Sequence, residues 1–320
     1  MATCAHLLAQ HGVALTGAAA GVDSPRAPVV LLSDAALGLL RDVFEQPHLL
    51  AGLPRIARRI VAWGGGKPVA VPHAGAVATG RALAAALQDP PRAGEDHVPF
   101  FTIHGTAVPD IPAHRFGSRP AEAAAVHLTQ RADRDACHIE SVASGWLFLI
   151  PQGDAAWLLG VGGALDDLLA ESRLVAGQLA SVEPAAARFE TAPRMLEQLS
   201  GADWLALGTS AIAFDPICGD GTAQAAREAV LAAAVVTGLV EGGDPAALLG
   251  HYHAMLLAAM RRHLQIAVGF YANGGTSPWW REQAAATRAG YDWCTARLAP
   301  LPEPRFVLHG TRLIAREKAA

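Results

Sequence analysis

Apolar residues in Met1-Ala2-Thr3-Cys4-Ala5-His6-Leu7-Leu8-Ala9-Gln10-His11-Gly12 recur at helical spacing and stop at a glycine, which predicts a short helix capped by Gly12. Val13-Ala14-Leu15-Thr16 then predicts a short strand. A chain that opens in a helix and runs into a strand has the layout of a βαβ unit without its first strand, or of an α/β protein that begins with a helix. Residues 17–28, rich in Gly, Ala and Pro, predict a loop. Ser33-Asp34 caps a helix through Phe44, with Leu37, Leu39, Leu40 and Val43 on its buried side. Pro54 opens a further helical stretch that ends at the basic cluster Arg55, Arg58 and Arg59. Ile60-Val61-Ala62-Trp63, a Gly64–Lys67 turn and Val69–His73 predict a hairpin of a second, antiparallel sheet. Gly80 to Leu87 predicts a helix.

Between Pro90 and Pro120 the pattern is loop-like, with Phe100-Phe101-Thr102-Ile103 its most strand-like piece. Strands follow at 123–129, 136–140, 145–151 and 156–161, then helices over 165–180 and 192–199. Trp204-Leu205-Ala206-Leu207-Gly208 is continuously apolar, as suits a strand covered on both faces of a parallel sheet. A loop at 213–221 leads into an Ala-rich helix over 222–237, and two more helices cover 246–271 and 279–298. The layout is α/β and discontinuous: a parallel-type strand, glycine loop and long helix bracket an antiparallel middle.

Composition narrows the class. With 52% hydrophobic and 17% charged residues the chain is folded, not disordered. Its 25 basic residues are scattered and the net charge is -4, so no basic stripe is available for nucleic acid. Cys4, Cys137, Cys218 and Cys294 are far apart, which disfavours both a disulfide scaffold and a structural zinc site. No apolar run reaches the ~18 residues of a membrane helix before a charge or glycine interrupts it. These features predict a cytoplasmic protein with no nucleic-acid or membrane partner.

The densest chemical signal is Gly208-Thr209-Ser210-Ala211-Ile212-Ala213-Phe214-Asp215-Pro216-Ile217-Cys218-Gly219-Asp220-Gly221-Thr222. Pro216 stiffens the loop, and Gly219 and Gly221 allow close backbone approach to a ligand. Free N–H groups at the next helix's N-terminus favour an anionic or electron-rich ligand edge. Asp215 and Asp220 stand in an apolar setting, where a carboxylate needs hydroxyl, N–H or solvent partners.

This run, G-x-x-A-x-x-x-D-P-x-x-G-x-G, resembles the second flavin-binding motif of FAD-dependent monooxygenases and flavin-dependent tryptophan halogenases of the para-hydroxybenzoate-hydroxylase architecture. Gly145-Trp146-x-Phe148-x-Ile150-Pro151 is similar to the G-W-x-W-x-I-P strand of the halogenase-like branch. The resemblance implies FAD as cofactor, held by Gly208, Thr209, Asp215, Pro216, Gly219, Asp220, Gly221 and Thr222. Thr209 and Asp215 would meet the ribityl chain, and Gly219 to Thr222 the pyrimidine edge. It implies a discontinuous Rossmann-like FAD-binding domain over 1–60 and 193–245, its first strand missing. An antiparallel substrate-domain sheet with helices would occupy 61–192, and a C-terminal helical region 246–320. The implied activity is a monooxygenase-like oxidation of a small aromatic substrate, or of a tryptophan in a partner protein undergoing cofactor maturation, with a separate flavin reductase as a further partner.

The departures define the alternatives. No G-x-G-x-x-G is present to hold the pyrophosphate, Gly17-Ala18-Ala19-Ala20 stands where the ribose acid belongs, and Thr209 replaces the aspartate of G-D-A-A. A degenerate flavoprotein fold acting as a non-catalytic binding subunit is therefore the second reading. Halogenation is the weaker one, because Cys218 occupies the halogenase glutamate position, Phe148 replaces the second tryptophan, and Lys67 reads as a hairpin residue. No catalytic residue and no metal ligand set is assigned. His251 and His253 diverge on their helix, Arg261, Arg262 and His263 read as a solvated face, Trp279-Trp280 as a packing anchor, and Arg115 to Pro120 as a site entrance.

Overall fold

The computed structural model describes residues 1–16, 28–87, 100–105, 108, 110–153, 155–219 and 221–316. From the N-terminus these form α1 (Ala2–Gln10), β1 (Val29–Ser33), α2 (Asp34–Phe44), β2 (Arg55–Ala62), β3 (Val69–Thr79) and α3 (Gly80–Ala86). Next come β4 (Thr102–His104), β5 (Ala113–Arg115), β6 (Pro120–Leu128), β7 (Ala136–Val142), β8 (Gly145–Gln152), β9 (Ala155–Val161) and α4 (Leu165–Glu171). Then follow β10 (Leu179–Val182), β11 (Ala187–Glu190), β12 (Arg194–Leu196), β13 (Trp204–Ala206), β14 (Ile212–Ala213) and α5 (Gly221–Val240). The chain closes with α6 (Pro245–Asn273), α7 (Pro278–Leu298) and the hairpin β15 (Phe306–His309) and β16 (Arg312–Ala315).

A nine-stranded sheet has the order β1-β3-β2-β7-β8-β9-β6-β10, with β11 also on β6. All its pairings are antiparallel except β2 with β7, where Arg59 lies opposite Cys137. The sheet already includes β1, so it reaches N-terminal of residue 61. A parallel pair, β13 with β4, and a three-stranded sheet, β14-β12-β5, form a second layer under α1 and α5. Helices α6 and α7 pack on each other and on the aromatic face of the large sheet, where Trp146, Tyr271 and Trp280 share one cluster. This is the α/β architecture with an inserted sheet and C-terminal helices that the pattern predicts.

Local signals that are self-sufficient hold. Ser33 caps α2, its hydroxyl accepting from Ala36 N–H at 3.2 Å. The Gly64–Lys67 turn joins β2 and β3 as an antiparallel hairpin. Trp280 is fully buried and its indole N–H donates to Val142 O at 2.8 Å, so the tandem tryptophan is a packing anchor.

Five expectations are corrected. Arg55–Arg59 is strand, not helix, because β2 is paired on both sides, by β3 and β7. Residues 192–199 are not helical: Arg194–Leu196 is ladder-paired between β5 and β14. The helix expected over 165–180 stops at Glu171, because the Glu140 carboxylate accepts N–H groups of Arg173, Leu174 and Val175. Val13–Thr16 is not in a strand; Val13 and Leu15 pack on the α1–α5 core instead. The C-terminal segment adds an unforeseen β15–β16 hairpin. Helix α5 has the length and hydropathy of a membrane span, with 67% of that window buried inside the protein. Here it is a core helix packed against α1, α2 and α6.

Candidate functional site

The glycine loop folds as two tight turns hung between β13 and α5. At Gly208 the backbone adopts φ +67, which glycine reaches without strain, and a short 3-10 turn covers Gly208–Ser210. A Cβ at Gly208 would meet nothing within 4 Å, so space is open above it. Ser210 Oγ lies 2.7 Å from His104 O and fastens the turn to β4. Thr209 is exposed, and its carbonyl accepts from the Arg194 guanidinium at 2.8 Å.

The second turn begins at Asp215-Pro216. Proline fixes the first position of a 3-10 turn over Pro216–Cys218, and Gly219 ends it at φ +66. A Cβ on Gly219 would lie 2.8 Å from Arg59 Nη2, so the guanidinium of β2 rests on the bare glycine. Arg59 donates to His73 Nε2 at 3.1 Å, while its own Nε is buried without a hydrogen-bond partner among the described residues. Burial and the Arg59 charge hold His73 below the ordinary imidazole value, which keeps it an acceptor. Gly221 is exposed with open space around it, and Thr222 follows in the first turn of α5, whose N–H groups have no partner within the helix. Asp220 lies outside the described residues.

Asp215 is the centre of a buried network. Its side chain is fully enclosed and ion-paired with Arg119, Nη1 to Oδ2 at 2.9 Å, with Arg119 equally enclosed. Tyr271 hydroxyl donates to the same oxygen at 2.6 Å, and Ile217 N–H to Oδ1 at 2.9 Å. The Arg119 guanidinium also lies 4.1 Å from the Tyr271 ring centre and donates to Thr287 Oγ1. Burial pushes the Asp215 carboxyl up, while Arg119, Tyr271 and Ile217 N–H pull it down. Arg119 and the Ile217 N–H can only donate and Tyr271 is placed to donate, so the geometry fits the carboxylate even though burial raises its pKa. Asp215 N–H in turn donates to His263 Nε2 at 3.0 Å, and burial drives His263 down to about 3. His263 is therefore a neutral acceptor inside the fold, not part of a solvated face.

Residues Gly208, Thr209, Pro216, Gly219, Gly221 and Thr222 thus fall along one β13–loop–α5 crossing, with Ile217 and Cys218 packed on the aromatic sheet face. Sequence reasoning did not single out Tyr271, and it named Arg119 only within a site-entrance segment, Arg59 only in a basic cluster and His263 only on a solvated face, without linking any of them to Asp215 or Gly219. Arg119 lies 96 positions from Asp215, and no local spacing links them. The two available signals were an arginine directly before an apolar strand and an isolated aspartate in an apolar run. Arg115 is exposed on β5 and takes no part in this network. Lys67 is exposed at the hairpin tip, and Phe148 and Trp146 are buried under α6 and α7. Among the described residues no group of three His, Cys, Asp or Glu side chains could hold a metal. None of the four cysteines is in a disulfide.

The loop's backbone fits a flavin: two left-handed glycines, open space over Gly208 and Gly221, an exposed Thr209 hydroxyl and a helix N-terminus. The Asp215 carboxylate is already filled by protein donors.

No family model matches the chain, and no curated protein matches it in sequence. Solved structures match it in fold. CmlS, a flavin-dependent halogenase, superposes with TM-score 0.73 at 15% identity, over 93% of this chain and 69% of that one. The myxobacterial chondrochloren halogenase CndH, described as a variant of FAD-dependent halogenases, gives TM-score 0.71 at 15% identity, over 95% and 89%. QhpG, a peptidyl tryptophan dihydroxylase essential for tryptophylquinone cofactor biogenesis, gives TM-score 0.66 at 16% identity, over 98% and 83%. The chain has the fold shared by these flavin-dependent halogenases and this tryptophan dihydroxylase.

Proposed function

We propose that this chain is an FAD-dependent oxidoreductase of the monooxygenase type, oxidising an aromatic small molecule or a tryptophan side chain of a partner protein. The observation that carries the reading is the loop from Gly208 to Thr222, set between a parallel strand and a long helix in a fold shared with flavin enzymes. A bound flavin supplies the redox chemistry. The chain's part is to hold and orient it: the Gly208 and Gly221 backbones give close approach, and Thr209 offers a hydroxyl. The N–H groups at the start of α5 meet an electron-rich edge. Asp215, in this reading, acts through Arg119 and Tyr271 to fix the loop's shape. The aromatic face of the large sheet excludes water beneath it. Reducing equivalents come from a separate reductase, and the setting is cytoplasmic, in keeping with four cysteines outside any disulfide.

Two observations favour a second reading, a non-catalytic binding subunit: the ion pair that consumes Asp215, and Arg59 lying on Gly219. Halogenation is the weaker alternative, since Cys218 stands two residues after Pro216 and Lys67 is exposed at a hairpin tip. The visible absorption spectrum of protein purified with FAD and then desalted separates these readings. Retained flavin bands, followed by oxygen uptake that depends on an aromatic substrate and a reductant, support the oxygenase. A colourless protein removes the flavoenzyme reading and leaves the binding subunit.

A further inference from the structure

Beside the glycine loop, α5, α6 and the β15–β16 hairpin line a half-open cavity of about 670 Å³, a volume suited to a small organic ligand. Its walls are largely apolar: Leu231, Leu256 and Phe306 inside, with Met255, Ile266 and Val307 at exposed positions. Asp215, Cys218 and Gly221 of the glycine loop lie on its wall while Gly208, Thr209 and Gly219 do not, so the cavity adjoins the proposed flavin loop at the start of α5 and extends away from it along α5 and α6.

Two buried polar side chains interrupt that apolar wall. Glu228 is 3% exposed, and among the described residues its hydrogen bonding is one long contact, 3.4 Å, from the Gln224 amide. His251 is 7% exposed, stands edge-on to Phe306 at 5.6 Å, and has a buried Nδ1 with no hydrogen-bond partner among the described residues. Such a group costs free energy unless something meets it. Burial raises the Glu228 carboxyl to about 8, and burial together with Arg316 lowers His251, so both are neutral at pH 7. Asp215, the other acid on the wall among the described residues, is ion-paired with Arg119. Arg262 and Arg316 bring guanidinium groups to the lining from exposed positions, while Arg227, also exposed, is engaged by Gln224 at 3.4 Å. The lining is therefore apolar in body with two guanidinium groups of one sign. An amine would be repelled by Arg262 and Arg316, whereas an acid would be drawn to them.

We propose that this cavity binds an amphipathic carboxylic acid. Its apolar body lies among Leu231, Leu256 and Phe306, and its carboxylate meets Arg262 and Arg316. The test is calorimetric titration of the full, flavin-free chain with decanoate, decanol and decylamine. Decanoate is expected to bind at least about ten-fold more tightly than either of the others. The double variant Arg262→Ala/Arg316→Ala should weaken decanoate by about ten-fold and leave decanol unchanged. Ala259→Trp, which fills the cavity from a half-buried position on α6, should abolish binding, and Met255→Trp at an exposed position is the second filling variant. Equal binding of decanol or decylamine, or undiminished decanoate binding in both filling variants, overturns the proposal. Because no flavin is present, a failure here is distinct from a failure of FAD to bind.

Discussion

Arg119 at the start of β6 and Asp215 in the glycine loop form a 2.9 Å ion pair in which both side chains are wholly removed from solvent. The pair pins the loop to the large sheet, and through Tyr271 and Thr287 it also ties in α6 and α7. A buried pair of this kind is weak evidence for net stability, because desolvation offsets much of the attraction. Its value lies in specifying one loop position. Asp215 has one arrangement that satisfies both its oxygens.

Removing one partner should therefore be far worse than removing both. Arg119→Met leaves a buried carboxylate without its counter-ion and is expected to cost about 3–5 kcal/mol. Arg119→Met/Asp215→Asn should recover at least about 1 kcal/mol of that loss. Urea unfolding of the two single variants and the double variant measures the coupling, and strict additivity would refute the account.

Glu228 makes stability fall as pH rises. Its folded value of about 8 lies above the ordinary value of 4.5, so between those limits the folded chain holds a proton that the unfolded chain has released. The stabilisation is complete below pH 4.5 and lost by about pH 8. Glu228→Gln should remove this dependence and raise stability at pH 8 by about 1–3 kcal/mol. Thermal melts across pH 5 to 8.5 report it; an unchanged slope counts against a protonated Glu228.

His263 acts in the opposite direction. Its folded value of about 3 lies below the ordinary 6.5, so the unfolded chain binds the extra proton and stability falls as pH drops from 6.5 toward 3. His263→Gln keeps an acceptor for Asp215 N–H and should reduce the slope of that acid limb by one proton. Denaturant titrations at pH 4, 5 and 6 would show whether it does.

Gly219→Ala places a Cβ against Arg59 and forces a left-handed conformation on an L side chain. The expected loss is about 1–2 kcal/mol, and pairing it with Arg59→Ala should relieve the contact but not the backbone strain. Crossing these variants in unfolding experiments separates the two contributions. Full rescue by Arg59→Ala would show that strain is absent.

Thr209→Val tests the flavin reading at low structural risk, since Thr209 is exposed. Loss of one neutral hydrogen bond is worth about 0.5–1.5 kcal/mol, a roughly two- to ten-fold weaker hold on FAD. Melting temperature should not move. Flavin fluorescence after equilibrium dialysis gives the affinity, and an unaltered value would place the flavin elsewhere.

The sequence by itself determined the features whose causes lie within a few residues. Ser33 caps α2 through its own hydroxyl, the Gly64–Lys67 turn sets the β2–β3 hairpin, and Asp215-Pro216 to Gly219 sets the second turn of the loop. The α/β layout followed from the order of such segments. Only the tertiary structure decided the rest. Arg55–Arg59 and Arg194–Leu196 carry weak intrinsic preferences, and distant strands that complete their ladders overrode them. The 165–180 helix ended where a carboxylate from β7 captured its backbone N–H groups. The partner of Asp215 came from 96 positions away, and the acceptor for its N–H from 48. Burial makes such partners obligatory, but chain spacing does not encode which distant group supplies them.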